Sequence, residues 1–210
     1  MPLMYEHNSE LAPRFCILGA GHGGMAMAGH LGMMGYKVNL YNRSDSRLVP
    51  VRLGGGIELS GVVEGFGPVN LATSDIAEAI HDVDILMVVV PANGHAFMAE
   101  KVAPHLQDGQ MLLINPGRTG GALEVRSILK QMGCQAKVIV GEAQTLLYAS
   151  RNINPAQVRV FGIKNTIPVA ALPGQQTVEL VTKLRQVFPQ FVPGDNVLKT
   201  SLDNIGAIFH

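Results

Sequence analysis

The chain has 210 residues, 47% of them hydrophobic, enough to bury a substantial core as one large domain with a short extension. Sixteen Lys and Arg balance sixteen Asp and Glu, so no broad field attracts a phosphate polymer or an anionic surface, and neither nucleic acid nor membrane is an expected partner. Cys16 and Cys134 supply neither a disulfide framework nor metal-ligand spacing; residues 1–13 lack the cationic start and apolar middle of a signal peptide, and the apolar run 85–90 is too short to cross a bilayer. A cytoplasmic protein without a metal is the expectation.

In chain order, the apolar run 14–18 (RFCIL) meets Gly19, and Met27, Leu31 and Met34 follow at helical spacing before Gly35. The run 36–41 (YKVNLY) completes a strand, tight turn, helix and strand of βαβ length, for which parallel pairing is expected. Residues 51–70 are rich in Gly and β-branched side chains, with short runs at 56–59 and 62–66 that read as small strands or a hairpin, an insertion or edge feature. Ser74 is placed to cap a short helix through His81, and 83–90 (VDILMVVV) is so continuously apolar that it reads as a central strand buried on both faces.

A helix over 95–103 stopped by Pro104, a turn at Asp108-Gly109, a strand 111–114, a helix 119–132 and a strand 137–140 continue the alternation. That rhythm predicts an α/β fold with a doubly wound, mainly parallel sheet of the Rossmann type. Strand-like pieces at 159–163 and 166–170 suggest antiparallel additions to the sheet, a helix fits 175–188, and 197–208 opens a further helix. The expected division is 1–193 for this α/β domain and 194–210 for the start of a second one.

Gly19-Ala20-Gly21-His22-Gly23-Gly24 supplies G-x-G-x-x-G between a predicted strand and a predicted helix, the context the motif requires. The first glycine permits the turn, the second lets the backbone approach a pyrophosphate, and the third allows close contact of helix and strand. Backbone N–H groups and the positive helix end then hold the anion. His22 matters here for its backbone. An acid that binds the adenosine ribose is expected near the end of the second strand, where this chain has Asn42-Arg43-Ser44. Arg43 can pair with a 2′-phosphate, Ser44 can donate to it, and Arg47 adds a second cation, so NADP is the preferred cofactor, with NAD as the other candidate; Arg43 as a solvated loop charge is the competing reading. Val90-Pro91-Ala92 and Asn115-Pro116-Gly117 end two successive strands, where open α/β sheets bind ligands, although ordinary turn chemistry explains them equally well. His95 at a helix start reads as a structural histidine at least as readily as a ligand.

Two longer segments are more specific. Asn115-Pro116-Gly117-Arg118-Thr119-Gly120-Gly121-Ala122-Leu123-Glu124 resembles the N-P-G-x-x-G-G-A-L-E segment of the octopine and nopaline (opine) dehydrogenase family, and Glu142-Ala143-Gln144-Thr145-Leu146-Leu147-Tyr148-Ala149 is similar to its E-x-x-T-L-x-Y-A stretch. Glu142 joins the cofactor-binding set on that basis. The resemblance, which runs from about residue 14 to the end, is to the cofactor half of the family. It implies reductive joining of an amino acid amine to a 2-oxo acid with NADH or NADPH as hydride donor, and a C-terminal helical domain closing over the substrates. It also implies a catalytic histidine early in that second domain; the segment ending at His210 looks like that region, making His210 the acid/base, with a frayed end as the alternative. Two other readings stay open. One is a reductase like the ketopantoate reductase and 6-phosphogluconate dehydrogenase relatives, whose catalytic lysine would fall on Lys199. The other is a non-catalytic NADP-binding module. Apolar surface left by an absent domain would favour self-association, so a homodimer is also open.

Overall fold

The computed structural model describes residues 12–203. In chain order its elements are β1 (Phe15–Leu18), α1 (His22–Met33), β2 (Val38–Tyr41), α2 (Val49–Gly54), β3 (Gly56–Gly61), β4 (Gly65–Pro68), β5 (Leu71–Thr73), α3 (Ile76–Ile80), β6 (Ile85–Val88) and α4 (His95–Val102). There follow β7 (Met111–Ile114), α5 (Gly121–Gln131), β8 (Ile139–Ala143), β9 (Tyr148–Asn154), β10 (Gln157–Ile163), β11 (Ile167–Leu172), α6 (Thr177–Arg185), β12 (Phe191–Pro193) and α7 (Val197–Leu202).

Eight strands form the central sheet in the order β12-β11-β8-β7-β6-β1-β2-β5. Every pairing from β5 across to β8 is parallel; β11 runs antiparallel to β8 and carries β12 parallel to itself. The chain leaves β1 for β2 on one side and returns to β6 on the other, so the direction of winding reverses at β1. Such a reversal opens a crevice at the carboxyl ends of the strands. Both sheet faces are apolar, as the unbroken hydrophobic runs require. Phe15, Ile17, Ile85, Met87, Met111 and Leu113 face the α1 and α6 side, whereas Cys16, Leu18, Leu86, Val88, Leu112 and Ile114 face α3, α4 and α5.

A second sheet, ordered β4-β3-β10-β9, covers the outer side of α1. The hairpin expected within 51–70 is therefore half of this sheet rather than an edge feature of the first. Of the two strand-like pieces expected to extend the central sheet, β11 does so; β10 instead pairs parallel to β3 and antiparallel to β9. Helix α2 was not expected from the sequence; Pro50 suits the first turn of a helix and Gly55, with φ 72°, ends it. The cap of α3 is Asp75, not Ser74, because the Asp75 carboxylate accepts from Ala77 N at 2.9 Å and Glu78 N at 3.2 Å. Of the helix expected over 197–208, α7 is the described part; 204–208 lie outside the described residues.

Flanked by sheets on two sides, α1 has almost no polar face, as a fully buried helix must. Its outer contact is backbone against backbone. A Cβ on Gly67 of β4 would meet the Gly29 carbonyl, and one on Gly32 would meet the Pro68 carbonyl. Gly67→Ala should therefore force α1 and β4 apart and lower the stability by about 2 kcal/mol, read as a lower denaturant midpoint. Gly54→Ala, at a helix end with nothing within 4 Å of the added methyl, should be neutral or stabilising by up to about 1 kcal/mol. Equal responses at the two positions would contradict the close-approach account.

Candidate cofactor-binding site

The first strand ends beneath the crevice. Gly19 takes φ 121° there, and its N–H donates to the Tyr41 carbonyl at 2.8 Å while Val89 N–H donates to the Leu18 carbonyl at 2.9 Å. The turn is thus pinned between the ends of β2 and β6. A Cβ on Gly19 would strike the Val89 carbonyl and the Val90 side chain, and one on Gly24 would strike the Gly19 carbonyl. Two of the three motif glycines are accordingly demanded by the protein's own packing. Gly21 is different, because nothing lies within 4 Å of its Cβ position and it lines the crevice. The space it keeps open is where a ligand's pyrophosphate would lie against the backbone.

Gly21 caps α1 without a side-chain bond, and the first helical hydrogen bond runs from Met25 N to Gly21 O at 2.9 Å. The N–H groups of His22, Gly23 and Gly24 ahead of it have no helical acceptor and sit at the positive end of the helix. His22 is fixed from behind by β9: Asn152 N–H donates to its Nδ1 at 2.9 Å, and Ser150 Oγ donates to its carbonyl at 3.1 Å. The ring thereby serves as an acceptor facing the second sheet.

The crevice is a cleft of about 610 Å³ that brings together Gly19, Gly21, Asn42, Arg43, Ser44, Val90 and Pro91 from the expected set. Asn42 joins the glycine turn to the loop after β2, accepting from Ala20 N at 3.2 Å and donating to the Ser44 carbonyl at 2.9 Å. Arg47 lines the same wall and donates to the Ala20 carbonyl at 3.4 Å. Among the described residues the lining holds two arginines and no carboxylate. On the opposite wall Asn93, Gly94, Phe97 and Met98 contribute, residues the sequence offered only as part of a turn and a helix. The Arg43 guanidinium lies 5.9 Å from the centre of the Phe97 ring, with the Lys101 ammonium 5.7 Å from the same centre. Ala92 begins a single 3-10 turn between β6 and α4.

Asn115, Pro116, Gly117 and Glu142 lie beyond this cleft, at the ends of β7 and β8. Asn115 and Pro116, joined by a cis peptide, end β7, and Gly117 leaves room for the Glu142 side chain, which a Cβ at that position would overlap. Asn115 is fully buried and neither atom of its amide has a hydrogen-bond partner, an arrangement that suits a site awaiting a polar group. Glu142 is fully enclosed: Oε2 accepts from Ala122 N at 2.8 Å, and Oε1 accepts from Thr200 Oγ1 at 2.7 Å and Ser201 Oγ at 2.6 Å. It joins β8, the start of α5 and α7. His210 lies outside the described residues.

The second motif also props the glycine turn. Leu146 packs on Gly23, where a Cβ would stand 2.6 Å from Leu146 Cδ2, and the Tyr148 hydroxyl lies 2.9 Å from His30 Nδ1 on α1. Another cleft, of about 440 Å³, lies at the amino ends of β1 and β2 among Arg14, Lys37, Glu78 and His81. It mixes both signs of charge and faces away from the reversal point.

Strand order, glycine turn and cleft together define a dinucleotide-binding domain. The chain belongs to the family of NAD-binding domains described for 6-phosphogluconate dehydrogenase, which matches residues 14–118. It is 37% identical over 197 residues to the opine dehydrogenase of Arthrobacter sp. (strain 1C), covering 93% of this chain and 55% of that enzyme. Its fold is that of octopine dehydrogenase solved with NADH and L-arginine (TM-score 0.77, 22% identity, 90% of this chain and 50% of that one) and of yersinopine dehydrogenase solved with NADP+ (TM-score 0.74, 19% identity, 90% and 49%). The chain thus spans about half the length of the proteins it matches. No helix among the described residues is long and apolar enough to cross a membrane.

One buried imidazole, His95, and one half-buried, His30, give the stability of the fold a pH dependence. Burial lowers the pKa of His30, and burial together with the charge of Arg118 lowers that of His95 against an opposing bond to the Val90 carbonyl. Below the ordinary value of 6.5 the unfolded chain then binds more protons than the folded one, so stability falls as pH drops through that region. The denaturant midpoint should be lower at pH near 5.5 than near 7.5, and His30→Gln should flatten part of that fall. A midpoint that rises on acidification contradicts this assignment.

Proposed function

We propose that the chain is the cofactor half of an NADPH-dependent oxidoreductase of the opine dehydrogenase type, which reductively condenses the amine of an amino acid with a 2-oxo acid. The observation that carries the cofactor choice is the adenosine end of the cleft, where Arg43, Ser44 and Arg47 stand in place of a ribose-binding acid. A dianionic 2′-phosphate gains two guanidinium partners and a hydroxyl donor there, while a bare ribose gains little. The reaction is supported by the 37% identity with an opine dehydrogenase.

In this reading Gly19 to Gly24 hold the pyrophosphate, Val90 to Ala92 border its path, and Asn115, Pro116 and Gly117 flank the nicotinamide end, with Glu142 supporting them from beneath. When bound, the reduced nicotinamide supplies a hydride. Residues 194–210 form the opening of the helical substrate domain, and α7 meets the cofactor domain through Thr200 and Ser201. His210 is assigned the acid/base role, moving a proton at the carbonyl-derived oxygen as the amine and oxo acid combine. Lys199, the candidate of the ketopantoate reductase reading, instead pairs with Asp195 at 2.6 Å on an exposed helix face.

Titration of the purified chain should show NADPH binding more tightly than NADH. Arg43→Ala should weaken NADPH about ten- to hundredfold and leave NADH nearly unchanged. Equal loss for both coenzymes would remove the 2′-phosphate role. Absence of NADPH oxidation with every amino acid and 2-oxo acid pair, tried on a form spanning the full length of such relatives, would leave a binding module.

A further inference from the structure

The loop that follows β2 carries one carboxylate, Asp45, immediately after Ser44 and two residues from Arg43. A carboxylate in this part of a dinucleotide site accepts hydrogen bonds from the ribose hydroxyls and repels a 2′-phosphate. Here both of its oxygens are taken. Arg52 on α2 donates through Nη1 to Oδ1 at 2.8 Å and through Nη2 to Oδ2 at 2.7 Å. The same Nη1 donates to the Ala72 carbonyl of β5 at 3.1 Å, so the guanidinium is anchored to the sheet edge as well as to the acid. Asp45 is absent from the lining of the cleft, whereas its neighbours Ser44 and Arg47 line it. In the same loop, Ser44 Oγ and Ser46 Oγ lie 2.9 Å apart.

From this geometry we propose that Arg52 governs coenzyme choice without touching the coenzyme: its two-pronged ion pair holds Asp45 against β5 and keeps it from the 2′-phosphate subsite of Arg43, Ser44 and Arg47. The inference rests on the NADPH reading given above and deepens it. Arg52 is a positioning residue, and α2, the helix that carries it, exists in part to bring a guanidinium to this loop. Released from the pair, Asp45 becomes a free negative charge beside the phosphate and an acceptor for a ribose hydroxyl, so NADPH binding weakens while NADH binding does not.

A double-mutant cycle separates this action from a direct effect of the Arg52 charge. Wild type, Arg52→Ala, Asp45→Asn and the double variant are each titrated with NADPH and with NADH at fixed salt. Arg52→Ala should weaken NADPH about three- to tenfold and leave NADH unchanged or tighter, because an unpaired charge at loop distance acts through a screened field. Asp45→Asn should bind NADPH at least as well as wild type, and the double variant should return to within about twofold of Asp45→Asn. Arg52→Gln, which keeps a donor for Ala72, should reproduce the Arg52→Ala pattern and guards against loss of loop structure in the smaller variant. A double variant as weak as Arg52→Ala, or an Arg52→Ala coenzyme ratio equal to that of wild type, overturns the inference while leaving the NADPH reading intact. A wild type that binds NADH as tightly as NADPH overturns both.

Discussion

Helix α1 is held on two sides by sheets, and the ligand end depends on that confinement. A helix with solvent on one face can slide or tilt against a sheet at modest cost. Here the backbone of α1 touches β4 through Gly29, Gly32 and Gly67, and the backbone of β1 through Gly24 against Gly19, so its position along and around its axis is fixed by atoms that have no rotamers to adjust. The unbonded N–H groups of its first turn are therefore aimed at the reversal point of the central sheet by the protein's own packing. Pre-organisation of this kind spares the binding step the ordering of a loop.

The second sheet is what makes the confinement possible, and it is assembled from segments about a hundred residues apart, with Glu58 opposite Gln157 in a parallel pair. Its strand β9 reaches the cofactor turn directly, through the Asn152 N–H to His22 Nδ1 and the Ser150 hydroxyl to the His22 carbonyl. Leu146 and Tyr148 just before or within the same strand bear on Gly23 and His30. The second half of the motif thus bears on α1, while Glu142 at its start ties β8 to α5 and α7.

These particulars explain what the sequence could and could not convey. The β1 turn, α1 and β2 are legible because glycine spacing, apolar period and strand length are local properties, and residues 83–90 announce a central strand by hydrophobicity alone. The partnership of β3 with β10 is not legible, because alternating residues in each strand say that one face is buried but not against which strand. Phe97 and Met98 escaped notice for a related reason: helical spacing places them on an inward face of α4, and only the position of that helix beside Arg43 turns the face into a cleft wall. The Asp45–Arg52 pair was invisible because α2 was not expected from the sequence, and without a helix there is no reason for the two side chains to meet.

Charge is distributed accordingly. Two carboxylates stand near the expected ends of the coenzyme, Asp45 by the adenosine and Glu142 by the nicotinamide, and each is fully engaged by the protein. Asp45 meets a guanidinium at the surface, where such a pair adds little to stability. Glu142 meets a helix N-terminus and two hydroxyls in the interior, where loss of any donor would leave a buried charge short of partners. The first arrangement is inexpensive to form and to break, the second is neither. The exposed pair lies on the loop that carries Ser44 and Arg47 of the cleft, and the buried carboxylate ties α7 to β8 and the start of α5. The same device thus recurs at both places, a carboxylate held by donors that the fold supplies.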